Sequence, residues 1–193
     1  TTLTSPAGIE YVEELPFDNF EADYLSSLNE RIHKLQTAEQ SILKYHLFKL
    51  TSEIENRLGQ DNAAGFHSKY AALVRMIDLC EAGSSCLPDQ GLFQGGFSSA
   101  LMTQRRCAMY LPKGYKGMEK PQLLVVLPPS PGSENQWAQN LGRALEGRAE
   151  VIVLVPQSQG YSSLARGAAA DITAKAITWA QNLFQSSAVT LVG

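Results

Sequence analysis

Leu123-Leu124-Val125-Val126-Leu127 is a short, continuous apolar run, and similar runs follow as Val151-Ile152-Val153-Leu154-Val155 and Val189-Thr190-Leu191-Val192. A strand with one wet face alternates polar and apolar residues, so an unbroken run of this length reads as a strand buried on both faces. A loop and a segment of helical character, residues 137–145, separate the first two runs. A longer helical segment, residues 168–184, separates the second and third. Strand, helix, strand, helix, strand at this spacing predicts neighbouring parallel strands joined by crossover helices.

Upstream of the first run, residues 98–111 suit a strand with Cys107, Met109 and Leu111 on one face and Ala108 and Tyr110 on the other. Pro112-Lys113-Gly114-Tyr115-Lys116-Gly117 ends it in turns. Residues 83–96 are rich in Gly, Ser, Pro and Gln, which marks a loop or domain boundary. Before that boundary the period changes to three and four. Phe20, Tyr24, Leu28, Ile32 and Leu35 form one stripe, and Ile42, Leu43, Leu47, Leu50, Ile54 and Leu58 form the next. Thr37 with Gln40 resembles a capping box and places a break near Gln36. A third helix carries Phe66, Tyr70, Leu73, Val74, Ile77 and Cys80 on one face and ends at Ala82-Gly83-Ser84. The expected organisation is a helical region over residues 1–90, acting as a layer or cap, and an α/β region over residues 91–193.

Composition narrows the function classes. The chain has 193 residues, 44% hydrophobic and 18% charged, enough to bury a core. A formal net charge of -3, with no basic block longer than Arg105-Arg106, argues against nucleic acid as a partner. No apolar stretch approaches the roughly 20 residues of a membrane span, and Thr1-Thr2-Leu3-Thr4-Ser5-Pro6 lacks signal-peptide character. With no initiator Met, Thr1 either follows a removed leader or marks an artificial boundary. Cys80 and Cys86 bracket a Gly-Ser-Ser turn and either pair in an oxidising compartment or serve as small buried residues, with Cys107 left over. A secreted or periplasmic setting is favoured over a cytoplasmic one. No Cys and His arrangement has zinc-ligand spacing. His33, His46 and His67 each stand alone among the helical stripes and read as surface or partly buried residues rather than catalysts.

Cys107-Ala108-Met109-Tyr110-Leu111-Pro112-Lys113-Gly114-Tyr115 resembles the strand and turn that precede the core of many α/β-hydrolase esterases and peptidases. Asp171-Ile172 through Ile177-Thr178-Trp179-Ala180, then Val189-Thr190-Leu191-Val192-Gly193, is similar to their helix and strand leading into the nucleophile elbow. The resemblance covers about residues 96–193. It implies the first half of an α/β-hydrolase-type, mainly parallel sheet with crossover helices, behind a helical N-terminal region. It further implies a serine hydrolase that cleaves a small-molecule ester or a peptide by acyl transfer and uses no cofactor. Gly193 matches the first Gly of Gly-x-Ser-x-Gly, so the nucleophile, acid and His are expected downstream, on the rest of the polypeptide or on an associated second chain. A fragment or processed chain is the expectation.

In this family the loop after the first buried strand supplies an oxyanion-hole N–H. Here that loop reads Pro128-Pro129-Ser130-Pro131-Gly132-Ser133 and departs from the His-Gly pattern. Proline has no N–H, so Ser130, Gly132 and Ser133 remain as donors, and Ser130 is the candidate. The alternative is a rigid turn with no catalytic part. Gln157 and Tyr161, in the loop after the second run, either face a substrate or satisfy turns. Ser158, Ser162 and Ser163 have no base nearby in sequence. A non-catalytic binding or scaffold protein on the same fold is the competing class. Nucleotide binding is disfavoured because no Gly-rich phosphate cradle follows the first run.

Overall fold

A computed structural model describes residues 3–4, 10–11, 22–55, 63–98, 104–130, 132–147, 150–157 and 168–193. It is a mixed α/β structure with one open five-stranded sheet. A two-stranded antiparallel pair, β1 (Leu3–Thr4) and β2 (Glu10–Tyr11), precedes three helices, α1 (Ala22–Lys34), α2 (Gln40–Glu55) and α3 (Ala63–Glu81). The sheet then runs through β3 (Gly91–Ser98), β4 (Gln104–Leu111), β5 (Gln122–Val126), α4 (Glu134–Leu145), β6 (Val151–Pro156), α5 (Ala168–Phe184) and β7 (Val189–Val192).

Spatial order in the sheet is β3-β4-β6-β5-β7. Strand β5 pairs in parallel with β6, opposing Leu123 to Ile152, and with β7, opposing Leu123 to Val189. The three apolar runs therefore lie side by side as expected. Strand β4 is antiparallel to both β3 and β6.

Period-two alternation sorts the strand residues onto two faces. Cys107, Met109, Leu111, Leu123, Val125, Ile152 and Leu154 face Ile172, Ala176, Ala180 and Phe184 of α5, and Ile42 of α2 joins that core. Ala108, Tyr110, Val126, Val153 and Val155 face Ala138 of α4. Leu123, Ile152 and Leu154 are fully buried, and each such side chain contributes roughly 1.5–3 kcal/mol of hydrophobic stabilisation. The last strand differs: Leu191 is 55% exposed and Val192 48% exposed, on opposite faces.

The helical region has its own core, built from Leu28 and Ile32 of α1, Leu43 and Leu47 of α2, and Phe66 and Ile77 of α3. Arg31 clamps α1 to α3, with Nε donating to Glu81 at 2.9 Å and Nη2 to Asp78 at 2.6 Å. Helix α2 also lies against β3, and the Trp179 indole of α5 donates to Ser41 Oγ at 2.6 Å. The chain leaves α3 through a Schellman turn. Gly83 adopts φ 74°, its N–H meets the Cys80 carbonyl at 3.0 Å, and the Ser84 N–H meets the Leu79 carbonyl at 2.8 Å. Cys86 still belongs to the helical core, whereas Leu87 belongs to the sheet core.

Two expectations are corrected here. Residues 91–96 are the body of β3 rather than a loop, and β4 begins at Gln104, with residues 99–103 outside the described set. Gly95 and Gly96 are strand glycines that let neighbours come close. A Cβ at Gly96 would stand 2.7 Å from both the Arg105 carbonyl oxygen and Tyr45 Cγ. The break between α1 and α2 falls where expected, but Thr37 is not its cap, since Thr37 Oγ1 has no hydrogen-bond partner among the described residues. Instead Gln40 Nε2 reaches back to the Ile32 and Leu35 carbonyls at 2.9 and 2.8 Å, satisfying the free end of α1.

The glycine contacts give a direct test. Gly96→Ala should destabilise the protein by about 1–3 kcal/mol, because a buried ring and a paired strand carbonyl must both give way. Gly142→Ala on α4 should do the same, its Cβ falling 2.5 Å from Tyr110 Cβ. Gly117→Ala, with open space around it, should stay within about 0.5 kcal/mol of the parent. Urea unfolding of the three variants measures the difference.

Candidate functional site

The connection leaving β5 goes to α4 on one face of the sheet, and the connection leaving β6 goes to α5 on the other. Adjacent parallel strands whose connections part in this way open a crevice at their carboxyl ends, the usual ligand position in open α/β sheets. Ser130 follows β5 in this region and Gln157 follows β6. Gly193 follows β7 and lies beside Leu127, whose N–H donates to the Val192 carbonyl at 2.8 Å. Three of the four expected site residues therefore share one end of the sheet. Tyr161 lies outside the described residues.

The loop over β5 is tied into a compact unit. Ser133 Oγ donates to the Ser130 carbonyl at 2.7 Å, and Ser130 Oγ donates to Ser133 Oγ at 3.3 Å. Gly132 turns the chain at φ 82°, and its N–H donates to Glu134 Oε1 at 3.2 Å. That bond removes Gly132 from the available donors. The Ser130 N–H meets no acceptor among the described residues.

Glu134 and Arg106, which the sequence reading did not single out, organise this end. Glu134 opens α4 and is 1% exposed; its Oε2 accepts from Arg106 Nη2 at 2.9 Å. A buried carboxylate needs such a partner, and its place in the first helical turn adds favourable interaction with the helix dipole. The Arg106 carbonyl accepts the Gln157 N–H at 2.9 Å, so one residue of β4 connects to the loops after both β5 and β6. A signal was present in the sequence: Arg106 falls in step with Ala108 and Tyr110 on an inward face, where an unpaired charge would be costly.

The three histidines differ in their surroundings. His33 and His67 are exposed. His46, on α2, is hydrogen-bonded through Nε2 to the Gln94 carbonyl at 3.1 Å, and Gln94 Nε2 donates to Asn135 Oδ1 at 2.9 Å. Burial lowers the His46 pKa from its ordinary 6.5, and nearby Lys49 pushes the same way against the Gln94 hydrogen bond.

Two surface hollows among the described residues lie away from this end. One of about 270 Å³, lined by Glu39, Ser85, Leu87, Tyr115, Pro121 and Phe184, sits at the opposite end of β5. One of about 310 Å³ lies on α4 around Trp137 and Leu141. Among the described residues no cluster of His, Cys, Asp and Glu could hold a metal ion, and no helix is long and apolar enough to cross a membrane.

Glu134→Ala leaves Arg106 without its carboxylate and should cost about 3 kcal/mol, the low end for a broken buried pair because Arg106 keeps some water. The double variant Arg106→Met with Glu134→Leu should recover much of that loss. Denaturant midpoints of both variants provide the check.

His46 carries a pH signature. Its folded pKa lies below the unfolded one, so the unfolded state binds more protons as pH falls. Its contribution to stability is fully present above pH 6.5 and declines as pH drops below that value. His46→Gln should shrink the difference in unfolding midpoint between pH 7.5 and pH 5, roughly the two sides of the ordinary His titration range.

Comparison with protein-family models, with curated proteins and with solved structures finds no match to this chain.

Proposed function

We propose that residues 91–193 are the first half of an α/β-hydrolase-type domain, part of a serine hydrolase that cleaves an ester or amide by acyl transfer. The observation that carries this reading is the gathering of the Ser130 loop, Gln157 and Gly193 at the carboxyl ends of parallel strands. Counted within the sheet, β5 is the third strand and α4 follows it. In hydrolases of this type the loop between the third strand and first helix supplies an oxyanion N–H. The nucleophile would sit two residues past Gly193, on the turn leaving β7. Its hydroxyl oxygen would attack the substrate carbonyl while the Ser130 N–H stabilised the charge developing on the carbonyl oxygen.

The remaining triad groups, on the downstream polypeptide or a second chain, would continue the sheet at the open edge of β7 and cover Leu191 and Val192. Helices α1 to α3, of which α2 borders β3, would form the cap. A second reading, a binding or scaffold protein that kept the fold without the chemistry, is favoured by one observation. The prolines and the Glu134 bond leave the loop poor in free N–H groups.

Two substitutions at one residue separate these readings in the intact protein. Ser130→Ala keeps the N–H and should leave ester turnover within a few-fold of the parent. Ser130→Pro removes the donor and should lower turnover by roughly a hundredfold or more while the fold persists. Turnover and thermal unfolding are measured on both. A folded Ser130→Pro variant with parental turnover rules out the oxyanion assignment, and absence of any hydrolysis by the parent favours the scaffold.

A further inference from the structure

Cys80 closes the last turn of α3, and Cys86 lies six residues on, beyond the Schellman turn at Gly83. That turn reverses the chain and returns the second cysteine to the same helical core that holds the first. Both are almost buried, at 4% and 7% exposure, yet Gly83 and Ser84 of the intervening loop are exposed. Cys107 stands apart in the sheet core at 0% exposure. The pair therefore has one available partner each and a short, solvent-facing loop through which a reagent can reach it.

We propose that Cys80 and Cys86 form a reversible disulfide that staples the junction between the helical core and the sheet core. The junction is narrow: Cys86 packs with α1, α2 and α3, and the next residue, Leu87, packs with the sheet. The oxidant is a second disulfide. One cysteine, as thiolate, attacks a sulfur of that disulfide, forming a mixed disulfide and releasing one thiol. The other cysteine then attacks its neighbour's sulfur, forming the Cys80–Cys86 bond and releasing the second thiol. The two electrons and two protons lost by the cysteine pair appear on the two released thiols. Burial pushes both thiols above their ordinary pKa, so they are protonated at rest. The reaction consequently runs through brief openings of the exposed loop.

The test incubates the whole chain, natively folded, with oxidised glutathione, then blocks remaining thiols after unfolding and cleaves after Lys and Arg. Cys80 and Cys86 fall in the peptide of residues 76–105, and Cys107 falls in that of residues 107–113. The expected result is an unblocked 76–105 peptide lighter by two hydrogen atoms, restored by dithiothreitol, beside a fully blocked 107–113 peptide. Cys80→Ala and Cys86→Ala should each abolish that product and leave a trapped glutathione adduct. The oxidised chain should show an unfolding equilibrium shifted toward the folded state by about tenfold or more. Both cysteines remaining blockable, a link to Cys107, or an unresolved glutathione adduct on the parent would overturn the proposal. The measurement on the parent stands by itself if a variant fails to fold.

Discussion

Burial of β5 and β6 on both faces is the constraint on which the rest of the architecture depends. Leu123, Val125, Ile152 and Leu154 point one way, and Val126, Val153 and Val155 point the other. Neither set tolerates water, so each face needs a helix, and two parallel neighbours need two crossovers. With α4 on one face and α5 on the other, the loops above β5 and β6 diverge. That divergence at the carboxyl ends is thus a by-product of covering the sheet. Any chemistry at that end would use a divergence of loops that burial had already imposed.

Arg106 converts that divergence into a defined local structure. Its guanidinium holds Glu134 at the start of α4, Glu134 holds the Gly132 N–H, and the Arg106 carbonyl holds the Gln157 N–H. The Ser130 loop would otherwise depend on its own two serines and on proline stiffness. Placing this network at the amino end of β4, next to Pro156 in register with Cys107, joins the antiparallel part of the sheet to the parallel part.

How much could be read from the sequence follows from which interactions were local. The three parallel strands were legible because unbroken Leu, Val and Ile runs leave little alternative, and α5 because its apolar spacing is regular. Strand β3 was hidden by Gly95 and Gly96, which suggest a loop to any local reading. Their role is the close approach of Tyr45, Met109 and Trp179, residues far away in sequence. The α1–α2 break was legible, while the agent was not: Gln40 acts on carbonyls five to eight residues behind it, a contact that no forward-looking capping pattern contains. The shared end of the sheet was legible through Ser130, Gln157 and Gly193, each placed just after one of the parallel runs. Its internal wiring was not, because the Arg106–Glu134 pair spans 28 residues.

Strand β7 lies at the edge of the same sheet. Its composition matches that of β5 and β6, and its register places Val189 and Leu191 in line with Leu123 and Val125. Even so, all four of its residues are exposed, because it lies at the sheet edge with one neighbour where they have two. Apolar residues on both faces of an edge strand are unfavourable in water and invite pairing. Any partner that relieves this must supply a strand along the open edge and apolar cover on each face. A bound peptide adding a single strand would satisfy the backbone and leave Leu191 and Val192 wet. The demand at this edge is therefore for apolar cover on both faces together with a pairing strand, and neither one alone meets it.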